Sequence, residues 1–486
     1  MWPVSFYFLA LLSIAISCWV FRCRKTICYG KLPPGSMGVP IIGETIQFFI
    51  PSKSIDMPWF MKTRLKRYGP VFKTSLAGRP VVVSSDADFN NFILQQEGKL
   101  VELWYMDSFA ELIGQNGEMK DSIKAGHIHK HLKKTVAECF GAERLKGILF
   151  PELDQTVKRA LDSWTKHKSL EVKHALSTMI LNFTWKVFFG RDPEKSEINL
   201  SETFANFTQG LMSFPLNLPG TAFHKCAQNR KKIVKLIRDT VERRQTSPAV
   251  SRATGNDFLD CLIDYKKTDS SFTDNIIVNT IFALLLATSE TIPTTLTLAI
   301  MYLADNPSVL HELEEESNRM ISGRENKESG ITWKEYKSMT LTMHVINESL
   351  RMGGAIGILR RTIEDVHIRE YVIPKGWTIA VIPAALHMDP DVYRDPLTFN
   401  PWRWEDLGAT SKARHFIPFG GGMRSCGGAD FSKALMAVFL HHFVTNYRWT
   451  KIKGGEIVRT PVLSFGDGYH VKVFKKAKMK EMEEDR

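Results

Sequence analysis

The chain has 486 residues, 44% hydrophobic and 24% charged, so it can bury one large core or two smaller ones, which excludes a disordered or fibrous protein. Lysine and arginine exceed aspartate and glutamate by 64 to 52, but the excess is spread along the chain. It comes with no zinc-type cysteine and histidine spacing, RNA-binding aromatic string or basic heptad region, so we expect no nucleic-acid partner.

The first segment predicts a membrane anchor over residues 1–21. Trp2 to Phe21 are apolar apart from serines, and a helix of this length covers roughly the 30 Å hydrocarbon core of a bilayer. Arg22, Arg24 and Lys25 follow at once, which places the rest of the chain on the cytosolic side. A cleaved signal peptide is less favoured because a basic start and a small-residue cleavage site are not evident. Seven scattered cysteines also suit a reducing compartment.

Residues 22–40 are predicted to form a basic, proline- and glycine-rich linker, and residues 41–486 a single folded domain. Strands are predicted at Pro80 to Asp86 and just before, with a turn at Leu76 to Pro80. Helical periodicity dominates residues 127–350, and strand signals return at 366–383 and 455–474. The pattern predicts a mainly helical α+β fold with a small sheet near the N-terminal side.

One helix stands out for its length. Thr273 is a predicted N-cap, and the apolar pattern runs to Ala304 before Asp305, Asn306 and Pro307 stop it. A polar cluster, Thr288 to Thr291, interrupts its most hydrophobic part. Because buried mid-helix carboxylates and hydroxyls are costly without partners, the cluster indicates a functional site.

A glycine-rich loop near the C-terminus, Phe416 to Ala429, supplies a thiol at Cys426 and a cation at Arg424. A helix is predicted from Ala429 to Leu440, so the thiol lies just before a helix N-terminus, where the thiolate is favoured. A surface turn with an incidental cysteine is the alternative reading of this loop alone.

The loop resembles the haem-binding signature of the cytochrome P450 superfamily. The residues that carry the match are Phe419, Gly422, Arg424, Cys426 and Gly428, with Gly420 also in the loop. The resemblance implies haem b as cofactor, Cys426 as its iron ligand, and the long helix crossing the distal face of the haem.

Further elements of that superfamily follow in the expected order. Glu348, Arg351 and Arg403 resemble its structural ion-pair network, and Glu290 and Thr291 its catalytic acid–alcohol pair. Thr288 and Ile292 depart from the usual oxygen-activation segment. The resemblance implies haem-propionate contacts from His129, Lys133 and Arg360, with Arg361 as an alternative to Arg360.

The resemblance is closest to the plant branch that oxidises sterols and triterpenoids, judged on motifs such as Phe399 to Trp404. It implies a monooxygenase of the endoplasmic reticulum membrane that hydroxylates a lipophilic polycyclic isoprenoid with O₂ and electrons from a separate NADPH-cytochrome P450 reductase. Candidate substrate contacts are Trp104, Phe204, Phe207, Leu211, Ala287 and Ile358.

Three other functions stay open at this point. Repeated oxidation could cleave a sterol side chain, an oxygen-independent isomerase or dehydratase could rearrange an oxidised lipid, and a non-catalytic protein could sense or carry haem. Glu290 and Thr291 argue against the last two, because neither needs an acid–alcohol pair beside the metal.

Overall fold

The computed structural model describes residues 30–114, 126–192, 199–211, 213, 215–246, 257–354, 357–460 and 462–476, with residues 7, 10, 11, 13, 14, 16 and 17 before them. Those seven early residues are helical and exposed. The rest of the predicted anchor and the first part of the linker, up to residue 29, lie outside the described residues.

Helices make up most of the described body. A π-helical turn spans Leu145–Leu149, directly before the helix that begins at Phe150. In chain order the helices are α1 (Thr45–Phe48), α2 (Trp59–Tyr68), α3 (Ala87–Gln95), α4 (Asp107–Leu112), α5 (His127–Phe140), α6 (Ala142–Arg144), α7 (Phe150–Trp164), α8 (Val172–Phe189), α9 (Leu200–Leu211), α10 (Ala222–Thr246), α11 (Phe258–Thr268), α12 (Asp274–Asp305), α13 (Pro307–Ser322), α14 (Trp333–Ser338), α15 (Thr340–Gly353), α16 (Pro383–His387), α17 (Arg403–Asp406), α18 (Ala409–His415) and α19 (Ala429–Asn446).

The strands form one five-stranded sheet in the order β1-β2-β8-β5-β3, one three-stranded sheet in the order β4-β12-β9, and the pairs β6-β7 and β10-β11. Their bounds are β1 (Val71–Leu76), β2 (Arg79–Ser84), β3 (Val101–Leu103), β4 (Leu170–Glu171), β5 (Ile358–Thr362), β6 (Val366–Ile368), β7 (Tyr371–Ile373), β8 (Thr378–Val381), β9 (Tyr447–Gly454), β10 (Val458–Thr460), β11 (Val462–Ser464) and β12 (Tyr469–Lys475).

The hairpin β1-β2 turns through Ala77 and Gly78, both with positive φ, while Leu76 pairs with Arg79. Such two-residue turns match the right-handed twist of the strands they join. Both faces of the sheet are buried, since Val82 packs in one apolar cluster and Val81 and Val83 pack in another. The turn at Ala77 and Gly78 lies within the predicted range, Leu76 to Pro80.

Helix α12 is the central element of the fold. The Thr273 hydroxyl accepts a hydrogen bond from the Ile276 amide and caps the helix, which continues through Pro293 to Asp305. It packs against α8, α10 and α15. Of the described helices, only α12 is long and apolar enough to cross a membrane, and most of its apolar stretch is buried inside the protein, as in a core helix.

Candidate functional site

The segment between α18 and α19 folds back on itself and presents Cys426. Gly420 and Gly422 have φ angles of 70° and 65°, which glycine adopts without strain. A Cβ atom at Gly422 would lie 2.0 Å from the Leu94 carbonyl oxygen, so the close approach requires glycine. The Cys426 amide donates to the Phe419 carbonyl oxygen at 2.9 Å. The predicted signature thus forms a closed turn that ends at the start of α19.

The Cys426 side chain is accessible to solvent although protein surrounds much of it. Desolvation by that protein raises the pKa of the thiol, while the Gly428 backbone N–H and the Lys133 ammonium act in the opposite direction. The N-terminus of α19 also favours the thiolate. A bound iron cation would offset the cost of burying the Cys426 thiolate. The position therefore suits a thiolate ligand to iron.

Two buried arginines share one carboxylate beside the signature loop. Glu97, whose side chain is 2% exposed, lies between Arg424, with Nε 3.0 Å from Oε1, and Arg360, with Nε 2.7 Å from Oε2. The Leu103 amide donates to Oε1 at 2.9 Å. No local sequence pattern marks Glu97, because its partners come from β5 and the signature loop. The pair of guanidinium groups leaves a net positive charge in this pocket.

Helix α5 brings two further predicted residues to the loop. Lys133 Nζ donates to the Met423 carbonyl oxygen at 3.0 Å and to Ser425 Oγ at 2.9 Å, so it holds the loop itself. Burial, followed by repulsion from Arg424, lowers the pKa of His129 to about 4, which keeps its ring neutral at pH 7.

Three buried polar atoms in this region lack a hydrogen-bond partner among the described residues, namely His129 Nε2, Arg360 Nε and Glu97 Oε2. The Arg360 Nε–H is close to Glu97 but not aligned with it. Arg361, the alternative to Arg360, points elsewhere and pairs with Glu102 at 2.5 Å. Unsatisfied buried donors of this kind call for a ligand, and a carboxylate would accept from Arg360 Nε–H and, in the tautomer protonated at Nε2, from His129.

A second buried carboxylate, Glu348, is held from four directions. Arg351 Nη2 and Nε donate to its two oxygens at 2.8 and 2.9 Å, and Arg403 Nε donates at 3.0 Å. The Asn400 amide and the Trp404 indole complete the set at 3.0 and 3.1 Å. The structure therefore brings together the three residues of the predicted ion-pair network and adds two neutral donors to it.

The polar cluster of α12 lies on an accessible part of a mostly buried helix. Ala287 and Thr291, one turn apart, are both exposed, whereas Leu285 and Ile292 are buried. Thr291 Oγ1 donates to the Ala287 carbonyl oxygen at 2.8 Å. Glu290 pairs with Lys173 of α8, Oε1 to Nζ 2.5 Å. No sequence pattern marks Lys173 as this partner, since it is 117 residues away in the chain.

The remaining substrate candidates fall in different surroundings. Phe204 and Phe207 are buried in the main apolar core, and their rings pack against Phe282. Leu211 is partly buried against the same core. Trp104 is buried with the Arg79 guanidinium 5.5 Å from its ring. Ile358 lies near the signature loop, 3.6 Å from a Cβ built at Gly420.

Comparisons with known proteins agree with this geometry. The family model described as cytochrome P450 matches residues 33–466. Cytochrome P450 87A3 of Oryza sativa subsp. japonica is 45% identical, with 94% of this chain and 89% of that protein covered.

The chain belongs to the cytochrome P450 family. Beta-amyrin 16-alpha-hydroxylase CYP87D16 of Maesa lanceolata is 41% identical, with 98% of this chain and 100% of that protein covered. Cucurbitadienol 11-hydroxylase of Siraitia grosvenorii is 42% identical over 97% and 99% of the two chains. The solved structure of retinoic acid bound cyanobacterial CYP120A1 superimposes with a TM-score of 0.78 at 27% identity, covering 92% of this chain and 100% of that one. The predicted family and fold are confirmed.

As a member of this family, the chain is a monooxygenase whose cofactor is haem and whose electrons come from a reductase. The residues at the site fit the cofactor. Cys426 offers a thiolate, and the unsatisfied Arg360 Nε and His129 Nε2, with the positive charge of Arg424 close by, suit its propionate groups.

Proposed function

We propose that the chain hydroxylates a polycyclic isoprenoid alcohol, a triterpenoid or a sterol, with O₂ and electrons from an NADPH-cytochrome P450 reductase. The observation that carries the proposal is the exposed pair Ala287 and Thr291 within an otherwise buried helix, beside the acid Glu290. A carrier or sensor of haem has no use for an acid and an alcohol at this position. The substrate class is supported by relatives over 40% identical along nearly the full chain that are named as hydroxylases of beta-amyrin and cucurbitadienol.

Each residue has a distinct part in the proposed mechanism. Cys426 would ligate the haem iron, Arg360, Arg424 and His129 would hold the propionates, and Lys133 would fix the loop that carries Cys426. When bound, haem supplies the oxygen-activating chemistry that no amino-acid side chain provides.

Proton supply falls to the distal helix. Thr291 Oγ1 donates its hydrogen to the Ala287 carbonyl oxygen. Its lone pairs stay free to accept a hydrogen bond from a donor in the cleft. Glu290 can take a proton from solvent and pass it toward Thr291, and its bond to Lys173 holds the carboxylate ready between transfers. The apolar residues on either side limit access of bulk water to this point.

Location in the endoplasmic reticulum membrane, through a single-pass anchor at residues 1–21 with the body in the cytosol, is part of the proposal. An isoleucine patch comprising Ile41, Ile42, Ile46 and Ile50 follows the linker, and its members are 46–69% exposed. Four exposed isoleucines within ten residues suit contact with lipid just beyond the anchor. The exposed lysines Lys130 and Lys134 of α5 offer the reductase a positive surface.

The reduced-minus-carbon-monoxide difference spectrum tests the central assignment. We expect a thiolate-type Soret band for the wild type in microsomes that contain a plant reductase, and its loss in Cys426→Ser. A haem-loaded wild type without that band would refute the thiolate ligand. Product formation that persists without NADPH or oxygen would point to the isomerase or dehydratase, and mass analysis of products from sterols and triterpenoids would distinguish one hydroxylation from repeated side-chain oxidation.

A further inference from the structure

A polar pair joins α10 to α12 far from the predicted oxygen-activation segment. Arg230 Nη2 of α10 donates to Asn279 Oδ1 of α12 at 2.8 Å. The Asn279 side chain also donates to the Asn275 carbonyl oxygen at 2.9 Å, which fixes its orientation. Asn279 is 6% exposed, so the contact lies inside the protein. A buried amide of this kind holds the guanidinium group in one place.

A third segment closes over the pair. Gly114, just after α4, has a φ of 74°, and a Cβ atom there would lie 2.4 Å from Asn279 Oδ1 and 2.9 Å from Arg230 Nη2. Only a hydrogen atom fits between this backbone and the two side chains. Three parts of the chain that are distant in sequence therefore converge on one arginine.

Arg230 lacks the partner that a half-buried cation ordinarily has. Its buried Nε–H has no acceptor among the described residues, and the exposed Glu111 of α4 attracts the guanidinium only from beyond ion-pair distance. Its guanidinium lies 5.5 Å from the centre of the Phe282 ring, which in turn packs against Phe204 and Phe207 of α9. An unsatisfied donor beside an aromatic cluster suits a mostly apolar ligand that carries one oxygen.

The spacing along α12 relates this pair to the reaction centre. Asn279, Ala283, Ala287 and Thr291 follow one another at four-residue spacing and so form one ridge along α12, with Asn279 roughly 18 Å from Thr291 along the axis. Between these two, Ala283 is partly buried and Ala287 is exposed. The ridge thus has polar groups at both ends and an apolar middle, as a ligand with one polar end and a long hydrocarbon body requires.

We propose that Arg230, held by Asn279, binds the hydroxyl oxygen at the end of the polycyclic substrate remote from the carbon that is oxidised. The inference rests on the proposed function, since it assumes an isoprenoid alcohol in the cleft beside α12. Arg230 is then a specificity-determining residue. Its hydrogen bond fixes how far the skeleton extends toward Thr291, and therefore which carbon is attacked.

Spectral binding titrations on the haem-loaded full chain in microsomes test the inference without relying on turnover. The probes are cholesterol, β-amyrin and cucurbitadienol, each paired with its 3-deoxy counterpart. For a skeleton that binds, we expect the wild type to hold the alcohol about tenfold to a hundredfold more tightly than the deoxy compound, as for a hydrogen bond to a charged group. In Arg230→Met the ratio should fall close to one, through weaker binding of the alcohol alone.

Arg238→Met is the matched control, because Arg238 is a partly buried arginine on the same helix. It should leave the ratio unchanged, and Arg230→Lys should restore part of it. If Arg230→Met does not fold, Asn279→Ala gives a second test, with the same loss of preference expected. Equal wild-type binding of alcohol and deoxy compound, or an equal loss of both in Arg230→Met, would overturn the inference and leave the proposed function standing. Failure of every skeleton to bind would overturn both.

Discussion

Two carboxylates in this protein, Glu348 and Glu290, are both paired with cations yet differ in how firmly they are held. Glu348 is fully buried and accepts hydrogen bonds from two arginines, an indole and a backbone amide. Glu290 is 29% exposed and pairs with one lysine. The planar guanidinium of an arginine can donate to both oxygens of a carboxylate at once and fix them. The ammonium of a lysine, on a flexible side chain, can break and re-form its single contact. The first carboxylate is therefore built to stay in place, and the second to exchange partners and protons.

The same contrast extends to their surroundings. Arg351 also donates to the carbonyl oxygens of His387 and Pro396, so the network around Glu348 ties four segments of the chain together. The hydroxyls near Glu290 bond mostly to carbonyls of their own helix, which costs little to rearrange. The charges around Glu348 thus connect distant parts of the fold, whereas the polar groups proposed for catalysis bond within one helix and stay accessible.

The largest effect should come from Glu348→Gln. The substitution leaves the buried Arg351 charge uncompensated, which costs about 3–5 kcal/mol of stability. We expect little or no haem-loaded protein to accumulate, measured by the carbon monoxide spectrum and by thermal unfolding.

Glu312→Gln is the control for that change. Glu312 also accepts an indole hydrogen bond, from Trp402 at 3.0 Å, but on the surface. We expect near-normal yield from it. A normal yield from Glu348→Gln would show that the buried network does not carry the fold.

Thr291→Val should leave the fold intact and remove the distal hydroxyl. Because loss of a positioned proton-transfer group typically costs roughly 10²–10⁴ in rate, we expect product formation to fall within that range while the thiolate spectrum persists. Thr295→Val one turn later removes a similar hydroxyl, which donates to the Thr291 carbonyl oxygen at 3.1 Å. Equal losses from both variants would contradict a special role for Thr291.

His387 should make the Glu348 side of the molecule sensitive to acid. Burial, followed by repulsion from Arg351, lowers the pKa of His387 to about 3, and its Nε2 accepts a hydrogen bond from the Ile417 amide at 3.1 Å. The unfolded chain binds a proton at this histidine near pH 6.5 and the folded one does not. Stability should therefore fall as pH drops from about 6.5 toward 3, by up to about 1.4 kcal/mol per pH unit from this group.

Denaturant midpoints measured at pH 7 and pH 5 check this. In His387→Gln the difference between the two midpoints should shrink, whereas in His311→Gln, on the surface, it should not change. An unaltered difference in His387→Gln would show that other groups govern the acid response.

The smallest effect on stability is expected for Lys173→Met. The Lys173–Glu290 pair is partly exposed, so its loss should change stability by less than about 1 kcal/mol. Turnover should fall severalfold, because the Glu290 carboxylate is no longer held between proton transfers. A loss of stability comparable to that of Glu348→Gln would remove the distinction between the two carboxylates.

The sequence predicts elements well where the signal is local. The Thr273 cap and the Asn306-Pro307 stop bound the long helix, and the structure agrees. The helix after Cys426 extends past the predicted Leu440 to Asn446, because His441 and His442 are buried and continue its apolar face. The sequence does not predict the last turn of this helix, because histidine is a polar residue that is buried less often than apolar residues are.

The site is less predictable where its partners are distant in the chain. Cys426 and the Glu348 network follow from spaced motifs, and so could be found by resemblance. Glu97 and Lys173 carry no such mark, and each meets its partner only after the chain has folded across 327 and 117 residues respectively. Ion pairs of that range depend on topology, which periodicity does not specify.

The isoleucine patch has a consequence for anyone who purifies the protein. Deleting residues 1–21 removes the predicted anchor but leaves Ile41, Ile42, Ile46 and Ile50 at the surface. We expect the shortened chain to self-associate in size-exclusion chromatography until detergent is added, because association buries exposed apolar surface. Replacing the four isoleucines with polar residues should yield a monodisperse preparation suited to crystallisation, with the thiolate spectrum retained.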